Sequence, residues 1–202
     1  MRDEALVKAI LDGQTGLFEE LVDAYKDRIF SMACRFTGSI HEGQDLAQEI
    51  FLLIYRNLKS FKGQSSLSTW IYRVSLNRCL DWQRKQKRMK WKLFQAIQKE
   101  EKDIDIFQNL ASSVDTPEEA YLKQEEQKIL HEKIRRLPEK YQVVIILYHF
   151  QDCSYQQISE ILDIPVRTVE TQLYRAKQKL RKMLRNQMDE KKEVQTYEYA
   201  RS

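Results

Sequence analysis

The sequence predicts an all-α chain: two small helical domains joined by a flexible linker, the C-terminal one containing a helix-turn-helix. Three observations lead there. Glycine and proline number only five and three in 202 residues, about 4% against an ordinary share near 12%. Turns are therefore few and short, unlike those of sandwiches, barrels or glycine-rich phosphate loops. Apolar residues recur at intervals of three and four rather than two. Charge falls in blocks: residues 1–95 hold 16 basic and 11 acidic groups, 96–130 hold 4 and 9, and 131–202 hold 14 and 10, a split of +5, −5 and +4 within a net +4. Two basic modules around an acidic bridge suit a chain that meets a polyanion twice, although ordinary surface charge gives the same balance.

Leu17, Leu21, Val22, Tyr25, Ile29, Met32 and Ala33 trace the inner face of a long helix, and Thr37-Gly38-Ser39 ends it, Gly38 suiting a left-handed cap. A second helix, about Ile40 to Leu58, gathers Leu46, Ile50, Leu53, Ile54 and Leu58 on one stripe and leaves Asp45, Gln48 and Glu49 on the other side. Residues 59–68 are polar and contain Gly63, which reads as a loop. Ser68 or Thr69 then caps a third helix reaching about Lys92. Residues 93–117 lose periodicity and gain Glu100, Glu101, Asp103 and Asp105. They read as the linker, closed by Asp115-Thr116-Pro117 as the start of the next helix. The first domain is accordingly 1–92 and the second 118–188, with 189–202 expected as a disordered tail.

In the second domain Glu118 to Leu137 forms one helix. Pro138 opens another that ends near Phe150, sitting at a first helical position where its missing N–H costs nothing. Ser154 with Gln157 three residues on is a capping box for a short helix, Tyr155 to Leu162. Asp163-Ile164 is the turn, and Pro165 opens a longer helix that buries Val169, Leu173, Ala176, Leu180 and Leu184. Arg167, Thr168, Glu170, Thr171, Tyr174, Arg175 and Lys177 are left facing out. A short helix, a tight turn and a second helix bearing Arg, Thr and Glu near its N-terminus suit a unit that reads base edges in a major groove, the other reading being an αα-hairpin with a solvated charged face.

The third helix ends in Arg84, Lys85, Lys87, Arg88, Lys90 and Lys92 with no acid among them, and it carries Trp70, Tyr72, Trp82 and Trp91 beside a loop holding Gln64, Ser65 and Ser66. Cations and aromatics next to a polar loop suit single-stranded nucleic acid. Trp70 reads as a core residue, whereas Tyr72 and Trp82 fit either role. His41, His131 and His149 are isolated and no nucleophile–base or paired-carboxylate arrangement stands out, so no catalytic residue, metal or cofactor is expected and the chain does not read as an enzyme. Cys34, Cys79 and Cys153 are odd in number and far apart, as in reduced cytoplasmic proteins. The longest uncharged run, Tyr141 to Gln151, is 11 residues, too short to span a bilayer. Nor does an apolar run follow Arg2, Asp3 and Glu4 as in a signal peptide.

Several of these segments carry a resemblance. Asp45-Leu46-Ala47-Gln48-Glu49-Ile50-Phe51, Phe61-Lys62-Gly63 and Ser68-Thr69-Trp70-Ile71-Tyr72-Arg73 resemble the second conserved region of bacterial sigma factors. Leu137-Pro138-Glu139-Lys140-Tyr141 and the helix-turn-helix at 154–184 resemble the fourth. With only these two regions and a linker, the chain is similar to the extracytoplasmic-function (ECF) group. Asp163 stands in the turn where many helix-turn-helix units carry glycine, and Arg167 stands where this family often does.

The resemblance implies a factor that binds core RNA polymerase, at the coiled coil of the largest subunit and at the flap, and directs it to promoter DNA. Asp45, Gln48, Glu49 and Phe51 correspond to the polymerase-docking surface. Phe61, Lys62, Gln64, Ser65, Ser66, Tyr72, Arg73, Arg78, Trp82, Arg84, Lys85 and Arg88 correspond to the element that opens and reads the −10 region. The helix after Pro165 corresponds to the −35 reader, and the linker to a segment threading the polymerase. The resemblance also implies control by an anti-sigma factor, often membrane-anchored. A stand-alone helix-turn-helix regulator is the alternative, and it leaves the motif at 45–51 without a purpose.

Overall fold

A computed structural model of the chain describes residues 3–99 and 118–199. Among them every regular element is helical: α1 (Asp3–Leu11), α2 (Thr15–Thr37), α3 (Ile40–Asn57), a 3-10 turn at Leu58–Ser60, α4 (Leu67–Lys99), α5 (Glu118–Arg135), α6 (Glu139–Phe150), α7 (Tyr155–Leu162) and α8 (Val166–Tyr199). None of these helices is long and apolar enough to cross a membrane.

The first module is built on α2, α3 and α4. Ile29, Met32, Ala33 and Phe36 of α2, Leu46, Ile50 and Ile54 of α3, and Ile71, Leu76 and Cys79 of α4 are at most 3% exposed. Gly38 ends α2 in the left-handed region, φ 78°, and its N–H closes on the Cys34 carbonyl. Ser39 caps α3 by accepting from the Glu42 amide at 3.4 Å. The cap of α4 is Ser66, not Ser68 or Thr69: its Oγ accepts from the Thr69 amide at 3.0 Å, while the Asp3 carboxylate takes the Leu67 amide at 2.6 Å. That carboxylate comes from α1, a helix the apolar spacing does not announce because only Val7 and Ile10 of its nine residues are buried.

Two expected boundaries move outward. The helix α4 continues to Lys99 rather than stopping at 92, and α8 reaches Tyr199 rather than leaving a tail from 189. Neither stretch contains glycine or proline, and Leu, Ala, Gln, Lys and Glu make up most of both, residues that lose little freedom in a helix. The remainder of the expected linker, 100–117, with its acidic residues and Asp115-Thr116-Pro117, lies outside the described residues.

In the second module α6 is buried over the whole run Tyr141–Leu147, as an apolar-all-round helix must be. It lies among α5, α7, α8 and the α2 helix of the first module. Pro138 is the cap rather than the first helical residue, with φ −53° and ψ 140°, and its carbonyl accepts from the Tyr141 amide at 2.8 Å. The capping box of Ser154 and Gln157 forms in both directions.

The one glycine of the first module set against another helix's backbone is Gly43. A Cβ there would lie 2.4 Å from Cys34 Sγ and 3.0 Å from the Cys34 Cα and N. Gly16 in α2 has nothing within 4 Å of the same position. Replacing a helical glycine by alanine gains up to about 1 kcal/mol, but overpacking against backbone costs about 1–3 kcal/mol. Gly43→Ala is therefore expected to destabilise the chain by about 1 kcal/mol or more in urea unfolding, and Gly16→Ala to leave stability unchanged or raise it. Equal effects of the two would remove the close approach as the cause.

Candidate nucleic-acid interface

The helix-turn-helix is α7–α8. Its turn is held by Asp163 in the left-handed region, φ 54°, a conformation that Asp tolerates better than most non-glycine residues. The Ser159 hydroxyl pins the turn by donating to the Ile164 carbonyl at 2.6 Å. Val169, Leu173, Ala176 and Leu180 are at most 8% exposed, and Leu184 is half-buried. This anchoring turns Arg167, Glu170, Thr171, Tyr174 and Arg175 outward, with Thr168 and Lys177 half-buried beside them. Thr171 donates back to the Arg167 carbonyl at 2.8 Å, and the Lys177 ammonium lies 5.3 Å over the Tyr148 ring. A shallow groove of about 490 Å³ runs between α6 and α8 and is lined by Lys140, Tyr141, Arg167, Thr168, Thr171 and Arg175, among others. Lys140 thus joins the basic face. Sequence spacing missed it because it lies on a different helix.

On α3 the buried stripe of Leu46, Ile50 and Ile54 leaves Asp45, Gln48 and Glu49 fully outward. Leu52, 55% exposed, and Tyr55, 49% exposed, continue that outward face one and two turns on. Phe51, expected on the docking surface, is half-buried and packs against the core. The signal for Leu52 and Tyr55 was present, since 45, 48, 52 and 55 are spaced by three and four, but apolar residues are ordinarily read as core. Glu49 is ion-paired to Arg78 of α4, so the outward face of α3 and the basic helix are tied together.

The residues expected at the −10 element divide. Lys62, Gln64, Ser66, Arg84, Lys85 and Arg88 are exposed, and Ser65, Arg73, Arg78 and Trp82 are half-buried. Phe61 packs edge-on to Trp70 with centroids 6.0 Å apart, anchoring the loop. Tyr72 is the exception: it is 3% exposed, and its hydroxyl accepts from Arg28 at 3.2 Å. Its position in the helix turns it into the core toward Tyr25, so here it is a packing residue and not a surface one.

Two of these residues face the second module. Arg84 donates to the Glu139 carboxylate at 2.6 and 3.2 Å, and Arg73 donates to the Glu160 carbonyl at 3.1 Å. Around them the modules meet through polar groups. Gln83 donates to Gln142 at 3.0 Å with both buried, and Gln151 donates to the Arg28 carbonyl at 3.2 Å. Arg135 lies over Gly38 and donates to the Thr37 carbonyl at 3.3 Å. Five buried polar atoms find no partner among the described residues: Arg35 Nε, Gln83 Oε1, Arg135 Nε, Gln142 Nε2 and Gln151 Oε1. All five belong to residues at this contact. Among the described residues no group of three or more His, Cys, Asp and Glu is placed to hold a metal ion.

Comparison with known proteins follows the same division. Residues 21–89 match the family model for sigma-70 region 2, and residues 127–180 that for sigma-70 region 4. The chain is 36% identical over 180 residues to the ECF RNA polymerase sigma factor SigW of Bacillus subtilis, covering 89% of this chain and 95% of that protein. It is 32% identical over 178 residues to the ECF RNA polymerase sigma-E factor of Haemophilus influenzae, covering 88% and 93%. Among solved structures, CnrH in complex with the cytosolic domain of CnrY shares the fold with a TM-score of 0.63 at 19% identity, over 91% of this chain and 97% of that one. RpoE of Bartonella quintana in complex with the anti-sigma factor NepR gives 0.59 at 17%, over 83% and 96%.

The contact between the modules contains a histidine, His131. Arg35 stacks over Phe150 at 3.5 Å and donates through Nη1 to His131 Nε2 at 2.9 Å, which requires that nitrogen to be unprotonated. Burial, and then the charges of Arg35 and Arg135, hold His131 below its ordinary value. A lowered histidine binds fewer protons in the folded chain than in the unfolded one, so its contribution is present above about pH 6.5 and is lost as pH falls below it. His149 is lowered too, by burial and then Lys177, and acts in the same direction. The midpoint of thermal unfolding should therefore drop between pH 7.5 and pH 5.5, and the drop should shrink in His131→Gln. An unchanged pH response in that variant removes His131 from the effect.

Proposed function

The chain belongs to the ECF family of RNA polymerase sigma factors, and from that premise we propose how its surfaces share the start of transcription. Residues 1–92 form the module that docks on the coiled coil of the largest polymerase subunit and reads and opens the −10 element. Residues 118–188 form the module that reads the −35 element and meets the flap. The chain itself supplies docking and recognition, and the polymerase supplies the chemistry.

The observation that carries this reading is the outward face of α3. Asp45, Gln48, Glu49, Leu52 and Tyr55 stand exposed on a helix whose other side is buried, and a helix-turn-helix regulator acting alone has no use for such a face. Acids around two exposed apolar side chains form a small version of an interface core with a polar rim. The exposed Arg167, Glu170, Thr171 and Arg175, with Lys140 beside them, support base reading from α8 in the major groove.

Arg73 and Arg84 are held by Glu160 and Glu139, so they reach DNA only when the modules part. Core polymerase, engaging both modules at separate sites, favours the parted form. An anti-sigma factor favours the closed one. The relatives CnrH and RpoE were each solved with a partner, and that of RpoE is named as an anti-sigma factor, which supports control of this kind.

The deciding experiment is transcription by core polymerase reconstituted with this chain on fragmented genomic DNA, with start sites mapped. Promoter-specific transcripts are expected, and their absence together with failure to co-elute with core polymerase returns the chain to a stand-alone regulator. Leu52→Ser with Tyr55→Ser should weaken core binding about ten-fold or more, as loss of a central apolar contact does, while helix content is kept. Affinity equal to that of the unaltered chain would take α3 out of docking. Arg167→Ala should cost about 1–3 kcal/mol on the promoters so mapped if it contacts a base, and should relax selectivity at one position. Uniform weakening on all sequences would reassign it to a phosphate.

A further inference from the structure

The helix α1 lies outside both family matches, since that to sigma-70 region 2 begins at residue 21. It nevertheless packs against the turn at Leu58–Ser60, and its first two residues reach the loop that follows. The Asp3 carboxylate accepts from the Leu67 amide at 2.6 Å, where the loop enters α4. The Glu4 carboxylate stands in the space that a Cβ at Gly63 would need, and so covers the middle of the loop, where Gly63 turns with φ 67°. Asp3, Glu4, Phe61, Gly63 and Ser65 line one cleft of about 200 Å³ between helix and loop. Val7 and Ile10 are buried behind the two acids and root α1 in the core. Phe61, edge-on to Trp70, fixes the start of the loop, and Asp3 with the Ser66 cap fixes its end. Lys62 and Gln64 lie between these anchors and are exposed.

We propose that Asp3 and Glu4 are positioning residues for −10 recognition: they hold residues 61–66 in the shape that meets unpaired promoter DNA, and touch no DNA themselves. The proposal rests on the assignment of this loop to the −10 element and deepens it. The Leu67 N–H is one of the first-turn donors that α4 cannot satisfy from within. A carboxylate is a strong partner there, because the N-terminal end of a helix attracts negative charge. Losing it frees the junction of loop and helix together. A loop ordered only on binding weakens that binding by the freedom it gives up, so a loop braced beforehand favours the bases that fit its one shape. Direct contact is the poorer role for this pair. Acids turned toward phosphates repel them, and Asp3 is half-buried with its oxygen on the amide.

The full-length chain is tested free and then with core polymerase. In the free chain, amide hydrogen exchange over residues 61–69 should be about five-fold faster in Asp3→Ala and unchanged over α3 and α8. Asp3→Asn should stay near the unaltered rate, because its side-chain oxygen still accepts the Leu67 amide. With core polymerase, Asp3→Ala combined with Glu4→Ala should lose about five-fold or more of the preference for the mapped promoters over the same promoters carrying single −10 substitutions. Preference at the −35 element and affinity for core polymerase should stay as they are, and Asp3→Asn should keep most of the −10 preference. A merely structural loss lowers core affinity and transcription from every promoter alike, and that result overturns the proposal. So does exchange over 61–69 that is unchanged in Asp3→Ala, or −10 preference that is unchanged in the double variant. Transcription that rises on all promoters in both Asp3→Ala and Asp3→Asn also overturns it, making the acids a charge barrier to DNA instead. Absence of promoter-specific transcripts with the unaltered chain removes the assignment of the loop and the proposal with it. The other outcomes remove the proposal and leave that assignment standing, so the two failures are told apart.

Discussion

The absence of a side chain at Gly43 lets α3 lie directly on the backbone of α2, and the first module is arranged around that contact. With the helices this close, Leu46, Ile50 and Ile54 meet Ile29, Met32 and Phe36 in a core with almost no exposure. The same approach fixes the rotation of α3, and so decides that Asp45, Gln48, Glu49, Leu52 and Tyr55 face out as a set. It also supplies the floor on which Ile71, Leu76 and Cys79 of α4 rest. Burial pushes the Cys79 thiol up to about 12 and the Cys153 thiol up to about 11. Both stay neutral and act as small apolar fillers.

The contact between the modules is of another kind. An apolar interface would bury side chains like those of the α2–α3 core, but here the participants are Arg35, Gln83, Arg84, Arg135, Gln142 and Gln151. Each glutamine of the buried Gln83–Gln142 pair makes one hydrogen bond and leaves another atom unmet. An unmet buried polar atom costs about 1–3 kcal/mol, which offsets much of what the arginine contacts contribute. Packing supplies shape complementarity, with Phe150 under Arg35 and Gly38 making room for Arg135. The buried apolar residues of the two modules also form one cluster, so the contact joins an apolar part to half-satisfied polar groups.

Much of this was legible in the sequence. The capping box at Ser154, the left-handed cap at Gly38 and the inward run from Val169 to Leu180 are local features written in adjacent residues, and they hold. Misplaced elements have a common cause: their determinants are distant in sequence. The start of α4 depends on a carboxylate from Asp3, and the burial of Tyr72 on Arg28 and Tyr25 of α2. Lys140 joins the α8 face only because α6 and α8 pack together. Leu52 and Tyr55 were hidden for a different reason, since an exposed apolar residue on the outer side of a helix has the same spacing as one on the core. The helical extensions of α4 and α8 follow from intrinsic propensity alone and were obscured by the lack of an apolar stripe.

Which surfaces the closed chain hides, and which it leaves open, bears on the order of events in the proposed reading. The α3 face is exposed with the modules together, and so is the outward side of α8. Of the expected −10 residues, Arg73 and Arg84 are the ones held by the second module, through contacts to Glu160 and Glu139. Polymerase can therefore land on α3 before anything else changes. Reversing a closed population from 99:1 to 1:99 requires a preference of about 5.5 kcal/mol for the parted form, and the exposed Arg84–Glu139 pair opposes this by only about 0–1 kcal/mol. A partner gripping both modules at a fixed separation reaches that preference without contacting the arginines at all. In the proposed reading Arg73 and Arg84 then become available as a consequence of docking, and the polar, half-satisfied groups between the modules are what make the two events separable.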